Sequence, residues 1–219
     1  MEAIPFELLP ETCVLKSNCQ SDGKYIHIVK NSRLENIQNL KREMTEWLRP
    51  QNTLLNSFCR AYYDVTPLII AEEYLENIFG QLYDYKIFCF AGEPLCIYAA
   101  SDHFTVHGKQ NLSHITFYDF DWNPLDIKYG SHPVGDIPKP PHLSEMIDVA
   151  KVLSKDFPFV RVDYFDTVEK LYLAEMTFYP GGGFTSYSEK VDFIWGKQFV
   201  LPEKNNLGRK FRTDLNYIG

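Results

Sequence analysis

Apolar and polar positions change period several times along the chain, and each change marks an element. Thr12-Cys13-Val14-Leu15-Lys16 reads as a short strand that ends on a lysine. A polar turn, Ser17 to Gly23, separates it from a second strand, Tyr25 to Lys30, so the two form a hairpin with a longer loop. Ser32 with Glu35 makes a capping box, and Leu34, Ile37, Leu40, Met44, Trp47 and Leu48 then recur at helical spacing as far as Pro50. After an irregular polar stretch, Pro67 introduces a strand, Leu68 to Glu73, that turns abruptly from apolar to acidic. Tyr85–Phe90 and Leu95–Ala100 flank Gly92 as a hairpin. The stretch from Asp102 to Pro141 is dense in His, Asn, Asp and Pro and reads as a long loop, a feature usually tied to function. Pro140-Pro141 leads into a second amphipathic helix carrying Leu143, Met146, Ile147, Ala150 and Leu153. Phe159–Phe165 and Leu171–Thr177 form a further hairpin, Gly181-Gly182-Gly183 follows, and a short helix covers Ser188 to Phe199. Strands and helices do not alternate regularly, so the fold class is α+β with mostly antiparallel sheet rather than doubly wound.

Composition narrows the function classes. A length of 219 residues allows one ordinary domain or two small lobes around a cleft. With 45% hydrophobic and 23% charged residues the chain is globular rather than disordered. A net charge of −7 argues against a general nucleic-acid binder, so an acidic substrate must be drawn by a few local cations. No apolar run reaches the length of a membrane span, and Met1 to Pro5 lacks the basic and apolar regions of a signal peptide. Cys13, Cys19, Cys59, Cys89 and Cys96 form no C-x-x-C pair and read as reduced, buried thiols of a cytoplasmic protein, with zinc or disulfides as the alternatives.

Candidate chemistry lies on the strands. Side chains alternate across a strand, so Arg161 and Asp163 share a face, as do Glu175 and Thr177. If the two strands pair, Asp163 and Glu175 point into one site, and two carboxylates with a neutral oxygen suit Mg²⁺. The alternative is an exposed polar hairpin face. Lys16, Lys30 and Lys86 stand in or at the ends of apolar strands, where a cation can hold phosphate oxygens or simply snorkel. Glu72, Glu73, Tyr74 and Leu75 form an extended segment whose backbone could meet an adenine edge, and Asp84 could meet a ribose hydroxyl. Asp119-Phe120-Asp121 superficially matches the D-x-D metal motif of enzymes that use nucleotide-sugars.

The order of these blocks resembles the ATP-grasp superfamily, and more closely the TupA-like ATP-grasp family of polysaccharide-biosynthesis proteins. The resemblance runs from Lys16 to about Gly183 and is strongest in Ile70–Leu75, Asp84–Phe90, Phe117–Pro124, Phe157–Asp163 and Glu175–Gly181. It implies an ATP-grasp fold of two α+β lobes: residues 1–70 as the smaller lobe, 71–201 as the larger one with acceptor loop and metal hairpin, and 202–219 as a mobile tail. It further implies that ATP is held through Lys16, Ser21, Gly23, Lys30 and Lys86, with Glu72, Glu73 and Leu75 at adenine and Asp84 at ribose. Asp163, Glu175 and Thr177 would hold Mg²⁺, Arg161 and Lys86 would be catalytic, and Asp102, His103, His107 and Lys109 would meet the acceptor. The implied reaction joins a carboxylate to an amine through an acyl phosphate, in surface-polysaccharide biosynthesis. The first strand comes early, so the resemblance also implies that most of the N-terminal domain of such enzymes is lacking: either the chain is a trimmed or minimal member, or a protein partner completes the site.

Two departures bear on activity. The Ser17–Gly23 loop holds one glycine and the acid Asp22, where the family favours a glycine-richer loop whose N–H groups wrap phosphate. His103 and Lys109 stand where arginines are expected. A non-catalytic binding protein and a glycosyltransferase therefore stand beside the ligase as alternatives.

Overall fold

The computed structural model describes residues 5–19, 25–31, 36–49, 62, 64–75, 82–101 and 113–200. Two compact units divide the chain. The first holds the residues up to Leu82 with Thr167–Lys170 and Thr177–Thr185; the second holds Tyr83–Asp166, Leu171–Met176 and the residues from Ser186.

In the first unit, β1 (Cys13–Ser17) lies between β2 (Ile26–Val29) and β3 (Ile69–Glu73), antiparallel to both. Strict alternation along β1 sends Cys13, Leu15 and Ser17 inward and leaves Val14 and Lys16 on the other face. Helix α1 (Ile37–Trp47) covers the inward face through Leu40, Met44 and Trp47, which pack with Cys13, Leu15 and Val29. Asn36 is the cap of α1, accepting a hydrogen bond from the Asn39 N–H at 3.1 Å; the Ser32–Glu35 box lies outside the described residues. An asparagine at that position satisfies one of the free N–H groups of the first turn. The expected lobe boundary at residue 70 falls inside β3, which belongs to the first unit through its pairing with β1.

The second unit is a six-stranded sheet in the order β7-β6-β5-β4-β8-β9. Its strands are β4 (Asp84–Phe90), β5 (Glu93–Ala100), β6 (Ile115–Tyr118), β7 (Pro124–Leu125), β8 (Phe159–Asp166) and β9 (Leu171–Thr177). One face is wholly apolar in its centre and takes α2 (Leu143–Ser154) through Leu143, Met146 and Ala150. Asp166 ties the start of that helix down, accepting from the His142 N–H and Nδ1, both at 3.0 Å. The opposite face carries Phe88, Phe90, Cys96, Tyr98 and Phe117, closed by Val191 and Trp195 of α3 (Glu189–Gly196). The aromatic richness of the sequence is concentrated here. Among the described residues no helix is long and apolar enough to cross a membrane.

The long loop expected from Asp102 to Pro141 is in part built structure. Ile115-Thr116-Phe117-Tyr118 is an inner strand buried on both sides, a strand that the dense polar residues around it concealed. Hydroxyls on β6 then strap the following segment alongside. Thr116 Oγ1 donates to Gly135 O at 2.6 Å, and Tyr118 OH accepts from the Ile137 N–H at 3.1 Å. Gly135 is required by this close approach, because a Cβ there would lie 2.7 Å from His114 Cβ. Gly135→Ala is expected to cost about 1–3 kcal/mol, the range for overpacking, read as a fall in the urea midpoint at constant slope.

Cys13, Cys19, Cys89 and Cys96 are buried and form no disulfide among the described residues; Cys59 lies outside them. Burial pushes the Cys89 thiol up to about 11, a hydrogen bond from Ser154 opposing it, and burial raises Cys96 as well. At pH 7.5 these four are expected to resist a thiol-directed disulfide reagent until urea unfolds the chain, with peptide mapping reporting which react.

Candidate functional site

The aromatic face of the six-stranded sheet ends in charge. Lys86 sits on the same face as Phe88, and β4 pairs with β8 so that Lys86 lies opposite Asp163. On the other side β5 places Tyr98 opposite Lys86. The i, i+2 repeat of each strand adds Asp84 beside Lys86 and Arg161 beside Asp163. Pairing register thus assembles five groups from three strands, β4, β5 and β8.

The contacts are short. Lys86 Nζ is 2.6 Å from Asp84 Oδ2, 3.2 Å from Asp163 Oδ2 and 5.6 Å from the centre of the Tyr98 ring. Arg161 donates from Nε to Asp163 Oδ1 at 2.7 Å and from Nη2 to Asp163 Oδ2 at 2.6 Å, a bidentate pair. The same Nη2 reaches Glu175 Oε1 on β9 at 3.3 Å. Asp163 is 1% exposed, whereas the Glu175 side chain is 56% exposed, so the cluster runs from interior to surface. Burial works against the Lys86 charge, but Asp84 and then Asp163 outweigh it and hold the pKa above its ordinary value. For Arg161 burial is likewise the largest influence, and Asp163, Glu175 and Asp84 together overturn it. Both cations therefore stay charged at neutral pH.

The structure brings together Lys86, Asp84, Arg161, Asp163 and Glu175. Asp84, expected at a ribose, is 8% exposed and is the nearest partner of Lys86. Thr177 closes β9. In the first unit, Lys16 pairs with Glu72 at 2.7 Å, both partly exposed. They share with Val14, Ile26, Ile28 and Ile70 the face of the small sheet that α1 does not cover. Glu73 lies on the other face, at a cavity of about 460 Å³ lined also by Thr12, Cys13, Glu72 and Tyr74. Leu75 follows β3, and Lys30 is exposed just past β2. Ser21, Gly23, Asp102, His103, His107 and Lys109 lie outside the described residues.

Two positions work differently from their sequence context. Asn18, within the presumed phosphate loop, clamps the chain before β3: it accepts from the Leu68 N–H at 2.8 Å and donates to Thr66 O at 3.1 Å. Asp119, in the D-x-D stretch, has both oxygens in use. Oδ1 accepts from the N–H groups of Asp121 and Asn123 at 3.0 and 2.8 Å, and Oδ2 accepts from Asn123 Nδ2 at 2.9 Å. The Asn123 side chain and then its backbone N–H hold the Asp119 carboxyl below its ordinary pKa. Those bonds form a turn with Trp122 at φ +73° stacked on Tyr118. The residue that sequence reasoning missed is Tyr98, whose only signal is its register opposite Lys86. Gly181, Gly182 and Gly183 all have positive φ (57°, 65° and 83°), a left-handed run that glycine alone adopts without strain.

A divalent metal is tested by the donor set. Among the described residues no three His, Cys, Asp or Glu side chains gather as a metal cage. Asp163 and Glu175 do converge, since one guanidinium nitrogen touches both. Mg²⁺ commonly takes one or two carboxylates and completes its shell with waters and substrate phosphates. The pair fits a metal shared with a polyphosphate rather than one held by protein alone.

The model of the family described as TupA-like ATPgrasp matches residues 1–200. The chain belongs to the TupA-like ATP-grasp family. The ATP-grasp fold expected from the ordered blocks is thereby shown, with its α+β elements and antiparallel sheets in the described residues. No curated protein matches this ATP-grasp chain in sequence. Among solved structures, D-alanine–D-alanine ligase from Bacillus anthracis is similar at 15% identity and a TM-score of 0.39, over 76% of this chain and 43% of that one. The chain spans less than half the length of that ligase.

Proposed function

We propose that this ATP-grasp protein binds ATP with Mg²⁺ and activates a carboxylate for attack by an amine, in the biosynthesis of a surface polysaccharide. The observation that carries the reading is the Lys86–Asp84–Asp163–Arg161–Glu175 cluster in a member of this family. Lys86, kept charged and aimed by Asp84, donates to phosphate oxygens, and Lys16 is the second such cation. Arg161 supplies a planar fork for the phosphoryl group in flight. Asp163 and Glu175, with Thr177, are the residues that would hold Mg²⁺. When bound, the ion offsets charge on the phosphates. The carboxylate oxygen forms a bond to the γ-phosphorus as the bond to ADP breaks. The amine nitrogen then attacks the acyl carbon and phosphate leaves. Both substrates are small or sugar-linked molecules.

Calorimetric titration with ATP and Mg²⁺ tests the first requirement: saturable binding is expected, and none at millimolar nucleotide ends the reading. A second reading, a binding protein without catalysis, is favoured by one feature, the Ser17–Gly23 loop with its single glycine and Asp22. It expects Lys86→Ala to leave biological function intact, so loss of product in a folded Lys86→Ala variant decides against it.

A further inference from the structure

The carboxylates best suited to a metal are already taken. Arg161 grips both oxygens of Asp163 at 2.7 and 2.6 Å and touches Glu175 at 3.3 Å. Lys86 makes a third contact to Asp163, at 3.2 Å. Two protein cations thus supply, within the cluster, the charge that a divalent ion would bring. A guanidinium does not shed its proton to make way, so it must move. A phosphate chain has the charge and the geometry to draw it, because the fork that fits a carboxylate fits phosphate equally well. The Glu175 side chain is more than half exposed.

From this arrangement we infer that Arg161 is a latch. It closes the Asp163–Glu175 pair to free divalent metal until a polyphosphate takes the guanidinium, so the nucleotide opens the site and the metal follows. The inference rests on the nucleotide reading above for its opening step, while the closed state can be tested with metal alone.

The probe is Mn²⁺, with the free ion counted by its electron paramagnetic resonance signal, on the full chain without nucleotide. Arg161→Gln is expected to raise Mn²⁺ affinity at least about tenfold, since a positive charge in contact with the carboxylates is gone. Arg161→Lys keeps the charge, and with it the fold, but one ammonium cannot grip both oxygens of Asp163 and Glu175 together. It is expected to raise affinity by a smaller factor, about threefold. Adding Asp163→Asn to Arg161→Lys removes the gain, which locates the ion. Unchanged or weaker Mn²⁺ binding in the folded Arg161 variants overturns the latch, as does a gain that survives Asp163→Asn. If circular dichroism shows Arg161→Gln unfolded, Arg161→Lys decides alone. ATP binding without any Mn²⁺ gain removes the latch and leaves the nucleotide reading standing. A Mn²⁺ gain without ATP binding ends the nucleotide reading and the opening step with it, while the block by Arg161 stands.

Discussion

Asp163→Ala is expected to destabilise the second unit by about 3–5 kcal/mol, the range found when one partner of a buried ion pair is removed. The size follows from position. Asp163 is 1% exposed and is the acceptor shared by Arg161 and Lys86, whose side chains are each only 14% exposed. Without it, two cations stay out of water with less to balance them, although Asp84 and Glu175 remain within reach. Urea unfolding followed by far-ultraviolet circular dichroism measures the loss. The double variant Arg161→Leu/Asp163→Leu should recover much of it, because removing both partners relieves the uncompensated charge. A loss below 1 kcal/mol for Asp163→Ala would mean that water reaches the cluster freely and that the burial argument is wrong.

Lys86→Met is expected to weaken ATP binding by roughly ten- to a hundredfold, the equivalent of about 1.5–3 kcal/mol for a hydrogen bond to a charged group. Lys86 is held from three sides, by Asp84, Asp163 and the Tyr98 ring, so little rotamer freedom is lost when a phosphate arrives. Lys16→Met should matter less. Its ammonium is more exposed, so solvent and salt screen more of the attraction it can offer a phosphate. Calorimetry on folded variants at one salt concentration compares them. A larger loss for Lys16→Met than for Lys86→Met would reverse the assignment of the principal phosphate cation.

Much of the local structure was legible in the residues. The short apolar run around Val14, the runs at Tyr85–Phe90 and Phe159–Phe165, and the helical spacing of Leu143, Met146 and Ala150 all correspond to observed elements. These signals survive because burial on a pleated strand or a helical stripe imposes a fixed period whatever the partners are. The same logic failed at Ile115–Tyr118, where an apolar stretch of four residues was concealed by the dense polar residues on either side of it. At Asp119 a local competitor won: an Asn four residues on absorbed both carboxylate oxygens into a turn, which a D-x-D spacing cannot reveal.

The sequence by itself determined which residues could do chemistry. Arg161 with Asp163 and Asp84 with Lys86 share faces because they are two apart on strands, and strand parity needs no tertiary information. Only the tertiary structure decided what those residues face. That Lys86 meets Asp163 and Tyr98, that Asp84 serves Lys86, and that Arg161 bridges to Glu175 depend on the register of β4 against β5 and β8, and on β9 lying beside β8. Register is set by the summed packing of Phe88, Ile87, Val162 and their neighbours on both sides of the sheet, and a slip of one residue would send every one of these charges to the opposite face.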